Sequence, residues 1–277
     1  MKEAIQKAEI LMEAARYIQQ FEGKIIVIKY GGNAMFGDED GEDPVLQDIA
    51  MLSKLSLKIV VVHGGGPKID QAMDSHGIKK KTVDGLRVTD GPTLQIVSEV
   101  LGEVNQQCVD GLEKNGVKAE SFTEGIFNTE IEDDRLGYVG TVVGVNTDVL
   151  LDKIEAGIVP VISSLGKDSS GQATNINADT AASKLAIALN AEKLTILTNV
   201  DSVLDSNKQR VAHIGVDEVE DYIEAGTVHG GMIPKIRACA EAADHGVGKA
   251  HLINGTIYRA LLIELFTDQG IGTEIVK

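Results

Sequence analysis

The chain has 277 residues, 43% of them hydrophobic, and a formal net charge of −16, so it is long enough to bury a full core as one large α/β unit or as two lobes. The acidic balance argues against a nucleic-acid binder, whose footprint is a basic patch. It also means that any anion site must use a few placed cations and backbone N–H groups against the global field. Residues 1–20 mix Lys2, Glu3, Lys7, Glu9, Glu13 and Arg16 with apolar positions. They lack the continuous apolar stretch of a signal peptide or membrane span, which gives the expectation of a cytoplasmic protein with no membrane partner.

Residues 3–21 place Ile5, Ala8, Leu11, Met12, Ala15 and Ile18 on a helical stripe, which predicts an amphipathic helix that packs on its own domain or meets another subunit. Two β-branched runs follow, residues 25–28 and 59–62. The first leads into Lys29, Tyr30, Gly31 and Gly32, the second into His63, Gly64, Gly65 and Gly66. Each reads as a buried parallel strand ending at bare backbone, where N–H groups converge on an anion. The pair predicts two mouths for two anionic groups.

Pro67 opens a helix that Gly77 closes, and Asp90, Gly91 and Pro92 open a longer one that Gly116 ends. Residues 158–162, 193–197 and 249–253 read as further buried strands. The alternation predicts an α/β fold with a mostly parallel central sheet sandwiched between helices. Residues 119–146 break the pattern and predict an inserted antiparallel β-hairpin acting as a lid.

The P-loop, the three-glycine dinucleotide fingerprint, the protein-kinase catalytic loop and the nucleophile elbow are all missing from the sequence. Cys108 and Cys239 sit in helix-like stretches without metal-ligand spacing and read as small buried hydrophobes. Lys29 at the end of a buried strand is either salt-bridged or anion-binding, and the cost of burying an unpaired ammonium favours a dedicated role. Lys235 follows Gly230, Gly231, Met232, Ile233 and Pro234 at a second helix start. In the segment from Thr174 to Thr180, Asn177 or Asp179 caps a helix, and two asparagines and an aspartate exceed what a cap needs. Asp179 is placed to orient lysines. Arg87 is either a surface ion pair or a bidentate carboxylate clamp. His63 has no acidic partner or nucleophile at a recognisable spacing, which leaves it a structural or hydrogen-bonding role.

Together the segments KYGGNAM at 29–35, VVHGGGP at 61–67, GLRVT at 85–89, NINADTAA at 175–182 and GGMIPK at 230–235 resemble the amino-acid kinase family. The resemblance covers nearly the whole chain and points to the branch that acts on N-acetyl-L-glutamate in arginine biosynthesis. It implies phosphoryl transfer from ATP to the side-chain carboxylate, with Mg²⁺ carried by the nucleotide and no metal site on the protein. By that resemblance Lys29 and Lys235 touch the transferring group and Asp179 orients both. Gly64, Gly65, Arg87 and Asn175 hold the acceptor; Gly31, Gly32, Thr198, Asn199, Val203 and Met232 hold the nucleotide. The implied lobes are residues 1–190 for the acceptor and oligomerisation and 191–277 for the nucleotide. Asn199 and Ser202 depart from an aspartate and a glycine usual in the family. The N-terminal helix and the tail from His251 to Thr273 are similar to the hexameric branch inhibited by arginine, with Tyr17, His251 and Glu264 in the segments concerned. Homo-oligomerisation, at least to a dimer and up to a hexamer, and arginine feedback are therefore expected, although Thr256 and Arg259 replace an arginine and a histidine usual in that branch.

Overall fold

The computed structural model describes residues 1–32, 35, 43–200, 202–205, 207–267 and 270–277, without the side chain of residue 3. Asn33 and Ala34 of the first glycine motif, and Asp268 and Gln269 of the tail, lie outside the described residues. In chain order the elements are α1 (Lys2–Phe21), β1 (Ile25–Tyr30), α2 (Pro44–Lys54), β2 (Lys58–His63), α3 (Gly66–Ser75), β3 (Thr82–Val83), β4 (Leu86–Arg87) and α4 (Gly91–Lys114). There follow β5 (Ala119–Phe122), β6 (Phe127–Glu130), β7 (Thr141–Val145), α5 (Asp148–Glu155), β8 (Val159–Ser163), β9 (Leu165–Lys167), β10 (Ala173–Asn175) and α6 (Ala178–Ala188). The chain ends with β11 (Lys193–Thr198), β12 (His213–Gly215), α7 (Val219–Glu224), α8 (Ile233–Asp244), β13 (Lys249–Asn254), α9 (Ala260–Phe266) and β14 (Thr273–Val276).

Eight strands form one sheet in the order β12-β14-β13-β11-β1-β2-β8-β5. Its pairings are parallel except for β13 with β14. Strand alternation explains the two cores. Ile26, Ile28, Tyr30, Ile59 and Val61 pack with α2, α3, α4 and α9 on one face. Val27, Val60, Val62, Leu194 and Ile196 pack with α5, α6 and α8 on the other. Each such side chain contributes about 1.5–3 kcal/mol when fully buried, which is why the β-branched runs take the middle of the sheet. The sheet passes without interruption across residue 190, because β11 pairs directly with β1.

Helix starts follow the expected chemistry. The Asp43 carboxylate accepts from the Val45 and Leu46 N–H groups at 2.9 and 3.0 Å, and Asp90 accepts from Thr93 N–H at 3.0 Å. Both caps satisfy donors that the first turn leaves free. Along α1, Ile18 and Phe21 pack onto the core. Ile5, Leu11 and Met12 are 53%, 69% and 65% exposed, so the chain covers only the C-terminal part of the apolar stripe.

The segment 119–146 differs from expectation in one respect. Residues 119–122 are β5, an edge strand of the main sheet parallel to β8. The antiparallel pair is β6 with β7, and β6 continues through β9 to β10 as a second, four-stranded sheet. The deviation arises because Ala119–Phe122 finds a parallel partner in β8, a pairing that the local Thr/Gly composition does not disclose. Gly140 joins this small sheet to the helix-start segment, its N–H donating to the Asn175 carbonyl at 2.9 Å. A Cβ at Gly140 would lie 2.5 Å from Thr174 Oγ1 and 2.9 Å from Thr129 Cβ. Gly140→Ala is expected to destabilise the protein by about 1–3 kcal/mol through overpacking, measured as a lowered denaturant midpoint.

Candidate active site

Parallel strands deliver their carboxyl ends to one edge of the sheet, and the candidate residues gather there. β1 ends in Lys29 and Tyr30 and β2 in His63, with Tyr30 paired to His63. Gly64 N–H donates to the Tyr30 carbonyl at 3.1 Å, so the two glycine turns lie side by side. The two glycine mouths expected from the sequence are therefore adjacent. Lys29, Gly32, Gly64, Gly65 and Gly66 all line a single cavity of about 310 Å³.

Asp179 lies at the centre of the charge array. Asn177 caps α6, its Oδ1 accepting from the Asp179 and Thr180 N–H groups at 2.9 and 3.1 Å. This places Asp179 in the first turn, where the helix dipole favours a negative charge. Its Oδ1 is 2.9 Å from Lys29 Nζ, and its Oδ2 accepts from Lys235 Nζ at 2.7 Å. Lys29 arrives from β1 and Lys235 from the first turn of α8, so three elements converge on one carboxylate. Burial pulls the Lys29 ammonium below its ordinary pKa; Asp179 opposes that shift and Lys235 adds to it. For Asp179, burial pushes upward, but the two ammonium groups outweigh it and hold the carboxyl below its usual range. The glycines leave this array room: a Cβ at Gly31 would stand 3.0 Å from Lys29 Nζ, and one at Gly64 would press to 3.2 Å of the Ala178 Cβ, so either neighbour would have to shift.

The four residues expected at the acceptor, Gly64, Gly65, Arg87 and Asn175, all line the 310 Å³ cavity. Arg87 is largely buried and pairs with Asp70 Oδ1 at 2.5 Å. A guanidinium carries five N–H donors, so this pair leaves capacity for an acid in the cavity. Arg87 is thus an ion pair, buried rather than at the surface, and also a cavity wall. Asn175 Nδ2 donates to Thr89 Oγ1 at 3.0 Å, and that hydroxyl donates to the Arg87 carbonyl at 3.0 Å. Thr89 and Asp70 were missed by sequence reasoning. Thr89 could have been read from its place in the GLRVT segment, whereas Asp70 carries no local mark.

Thr198, Asn199, Val203 and Met232 line a second cavity of about 480 Å³, together with Val200, Ser202, Leu204, Val228 and Lys235. Its walls are mainly apolar. Lys235 belongs to this cavity and Lys29 to the first, so the Lys29–Asp179–Lys235 array stands between them. A wider cleft of about 850 Å³ runs from Gly85 and Leu86 of the β3–β4 hairpin to Ile233 and Pro234 at the start of α8. Gly31 is buried beside Lys29 and does not line either cavity, while Gly32 faces the first.

At the opposite end of β11, a further cavity of about 300 Å³ is lined by Tyr17, Lys193, Arg210, His251, Glu264 and Glu274, among others. His251 Nδ1 contacts Glu264, and its Nε2 is 3.3 Å from Glu274 Oε1. Burial raises the Glu264 carboxyl, but His251 and Lys193 overcome that and take it to about 2. Arg259 pairs with buried Asp48 at 2.8 Å, and Thr256 N–H donates to Asn254 Oδ1 at 2.9 Å. Both replacements noted in the tail are thus engaged within the chain. Cys108 and Cys239 are buried free thiols, as expected. Among the described residues no helix is long and apolar enough to cross a membrane.

The profile of the amino acid kinase family matches residues 24–254. The chain is 46% identical to an acetylglutamate kinase of Methanocaldococcus jannaschii over 297 residues, covering 100% of this chain and 98% of that protein. It is 44% identical to an acetylglutamate kinase of Trichlorobacter lovleyi, covering 100% of both. Among solved structures, an N-acetylglutamate synthase from Neisseria gonorrhoeae, complexed with coenzyme A and N-acetyl-glutamate, superposes with a TM-score of 0.88 at 27% identity. That match covers 98% of this chain, which spans 63% of the synthase's length. Carbamate kinase from Giardia lamblia bound to AMP-PNP shares the fold, with a TM-score of 0.68 at 19% identity over 92% of this chain and 99% of that one.

The array makes a direct chemical prediction. Asp179→Asn removes the charge that favours protonated Lys29, leaving burial and Lys235, both of which lower its pKa. Lys29 in that variant is expected to be acylated faster by an amine-reactive probe near neutral pH than in the unaltered protein, read by peptide mass spectrometry.

Proposed function

Because this chain belongs to the amino acid kinase family, we propose that it transfers the γ-phosphoryl group of ATP to the side-chain carboxylate of N-acetyl-L-glutamate, forming an acyl phosphate in arginine biosynthesis. The observation that carries this reading is the Lys29–Asp179–Lys235 array between a polar cavity and an apolar one. Phosphoryl transfer asks a protein mainly to hold two anions in line and to stabilise charge on the moving group. Lys29 and Lys235 meet that group from opposite sides, and Asp179 pairs with both ammonium groups and fixes their positions. N–H groups of Gly32 and Gly65, which line the first cavity, add donors to the developing charge, while the Gly64 N–H is already given to the Tyr30 carbonyl.

In this reading residues 1–190 hold the acceptor and residues 191–277 the nucleotide. Arg87 grips the α-carboxylate, steadied by Asp70, and Asn175 binds the amino-acid portion. The mainly apolar 480 Å³ cavity suits a purine ring, with Thr198, Asn199, Val203 and Met232 around the nucleotide. Mg²⁺ comes with the phosphates of ATP and neutralises their charge. The β6–β7 pair serves as a lid over the acceptor, and the reaction takes place in the cytoplasm.

Trapping with hydroxylamine tests the activity. With ATP and Mg²⁺, hydroxamate is expected from N-acetyl-L-glutamate far above that from glutamate or aspartate at equal concentration; preference for free glutamate would overturn the acceptor assignment. Arg87→Ala is expected to raise the acceptor KM about tenfold or more, the scale of a lost charged hydrogen bond, with a smaller effect on kcat.

Assembly and feedback belong to the same reading. The uncovered apolar residues Ile5, Leu11 and Met12 of α1 supply contacts between subunits, extending dimers to a hexamer. The cavity of Tyr17, His251 and Glu264 then takes arginine, whose cationic head suits its carboxylates. Sedimentation is expected to show an assembly larger than a dimer that Leu11→Asp reduces, and L-arginine is expected to lower activity. A monomer at working concentration, or full activity in saturating arginine, would refute this part.

A further inference from the structure

His63 is completely buried at the end of β2, directly before the glycine turn. Its Nδ1 is 3.1 Å from the Gly64 carbonyl oxygen. Its Nε2 is 3.0 Å from Asn105 Nδ2 and 3.0 Å from Ser163 Oγ. Asn105 projects from α4 and is itself anchored, donating to the Val161 carbonyl at 2.9 Å. Burial, partly opposed by the Gly64 carbonyl, takes the imidazole down to about 4, with Lys29 adding to the depression. The ring is therefore neutral at neutral pH and carries one proton. The Gly64 carbonyl can only accept, so the ring proton sits on Nδ1, and Nε2 is left as an acceptor facing Asn105 Nδ2, which can only donate and also lies 3.2 Å from Ser163 Oγ.

The consequence lies in the next peptide. In a planar trans peptide the carbonyl and the following N–H point in opposite directions. A Gly64 carbonyl drawn toward the buried ring sends the Gly65 N–H away from it, toward the cavity that Gly64 and Gly65 line. We propose that His63, fixed in its Nδ1–H form by Asn105 and Ser163, is a positioning residue that aims the Gly65 N–H at the transferring phosphoryl group. The role rests on the kinase reading given above. An aimed backbone donor requires no reorganisation during reaction, and its loss falls on kcat rather than on ground-state binding.

Two substitutions separate the ring's two edges. In His63→Asn the side-chain amide NH₂ occupies the place of Nδ1 and keeps the donor to Gly64, while the acceptor at Nε2 is lost. In His63→Gln the amide reaches the place of Nε2 and the Nδ1 donor is lost. His63→Gln is expected to lower kcat by at least about tenfold with both KM values near those of the unaltered enzyme, and His63→Asn to retain most of kcat even where both lose thermal stability. Equal impairment of the two folded variants, or unaltered kcat in His63→Gln, would overturn the proposal. The tautomer is read independently by nitrogen-15 NMR of the unaltered, histidine-labelled protein, which needs neither variant to fold. A protonated Nδ1 and bare Nε2 are expected, and an Nε2–H ring would refute the mechanism. Since that measurement needs no turnover, a wrong acceptor assignment is distinguishable from a wrong role for His63.

Discussion

A buried carboxylate between two ammonium groups sets the terms for the rest of the molecule. Lys29 and Asp179 are 5% and 4% exposed, and taking such charges out of water costs several kcal/mol apiece unless they are paired. Asp179 offsets that cost for both lysines at once, one oxygen to each. The arrangement demands that a strand end, the first turn of α6 and the first turn of α8 meet within hydrogen-bonding distance. Helix α6 packs against α8 through apolar residues such as Ala182, Leu185 and Ala242. Glu241 of α8 also accepts from Ser183 of α6 at 3.2 Å. The apolar packing of these helices is thus what fixes the spacing of the charges, and fold and site are one constraint.

The net charge of −16 makes this local concentration of cations more significant. A phosphorylated substrate approaching the surface meets an unfavourable average field, so recognition must be short-ranged. Lys29, Lys235 and Arg87 are each held by an acidic partner. That pairing orients them while leaving donor capacity toward the cavities, as an ammonium has three donors and a guanidinium five. Backbone N–H groups at the glycine turns add positive character without adding a titratable group.

Much of this was legible in the sequence because it is written locally. β-branched runs become strands, aspartate and proline mark helix starts, and glycines follow strands where a side chain would crowd Lys29 or Ala178. What was not legible depends on sheet order. That β1 and β2 are neighbours turns two glycine mouths into one cavity wall, and no pattern within either segment says so. His63, Asn105 and Ser163 meet because α4 crosses the sheet over β2 and β8. Asn105 did carry a hint: it lies on the stripe of Leu101, Val104 and Cys108, where a polar side chain needs a buried partner. Asp70 carried none, since an acidic residue on α3 has the same local appearance whether it faces solvent or Arg87. Residues 119–122 were misread for the related reason that edge-strand pairing is decided by what β8 offers.

The second buried charge cluster bears on how distant parts of the chain are tied together. Lys193 opens β11 and Thr198 closes it, and all six residues of the strand are buried. Lys193 is 3.4 Å from Glu264 at one end, while Thr198 lines the 480 Å³ cavity at the other. At the usual rise per residue these ends are about 17 Å apart. A strand paired on both sides, with β1 and β13, cannot slide by one residue without turning its apolar set to the wrong face. The cost of burying Lys193 and Glu264 is met by their pairing with each other and with His251. Replacing such a network by apolar residues is often neutral or stabilising in proteins, so stability alone does not account for it. Its position around an open cavity, rather than in a sealed core, ties those charges to whatever enters there.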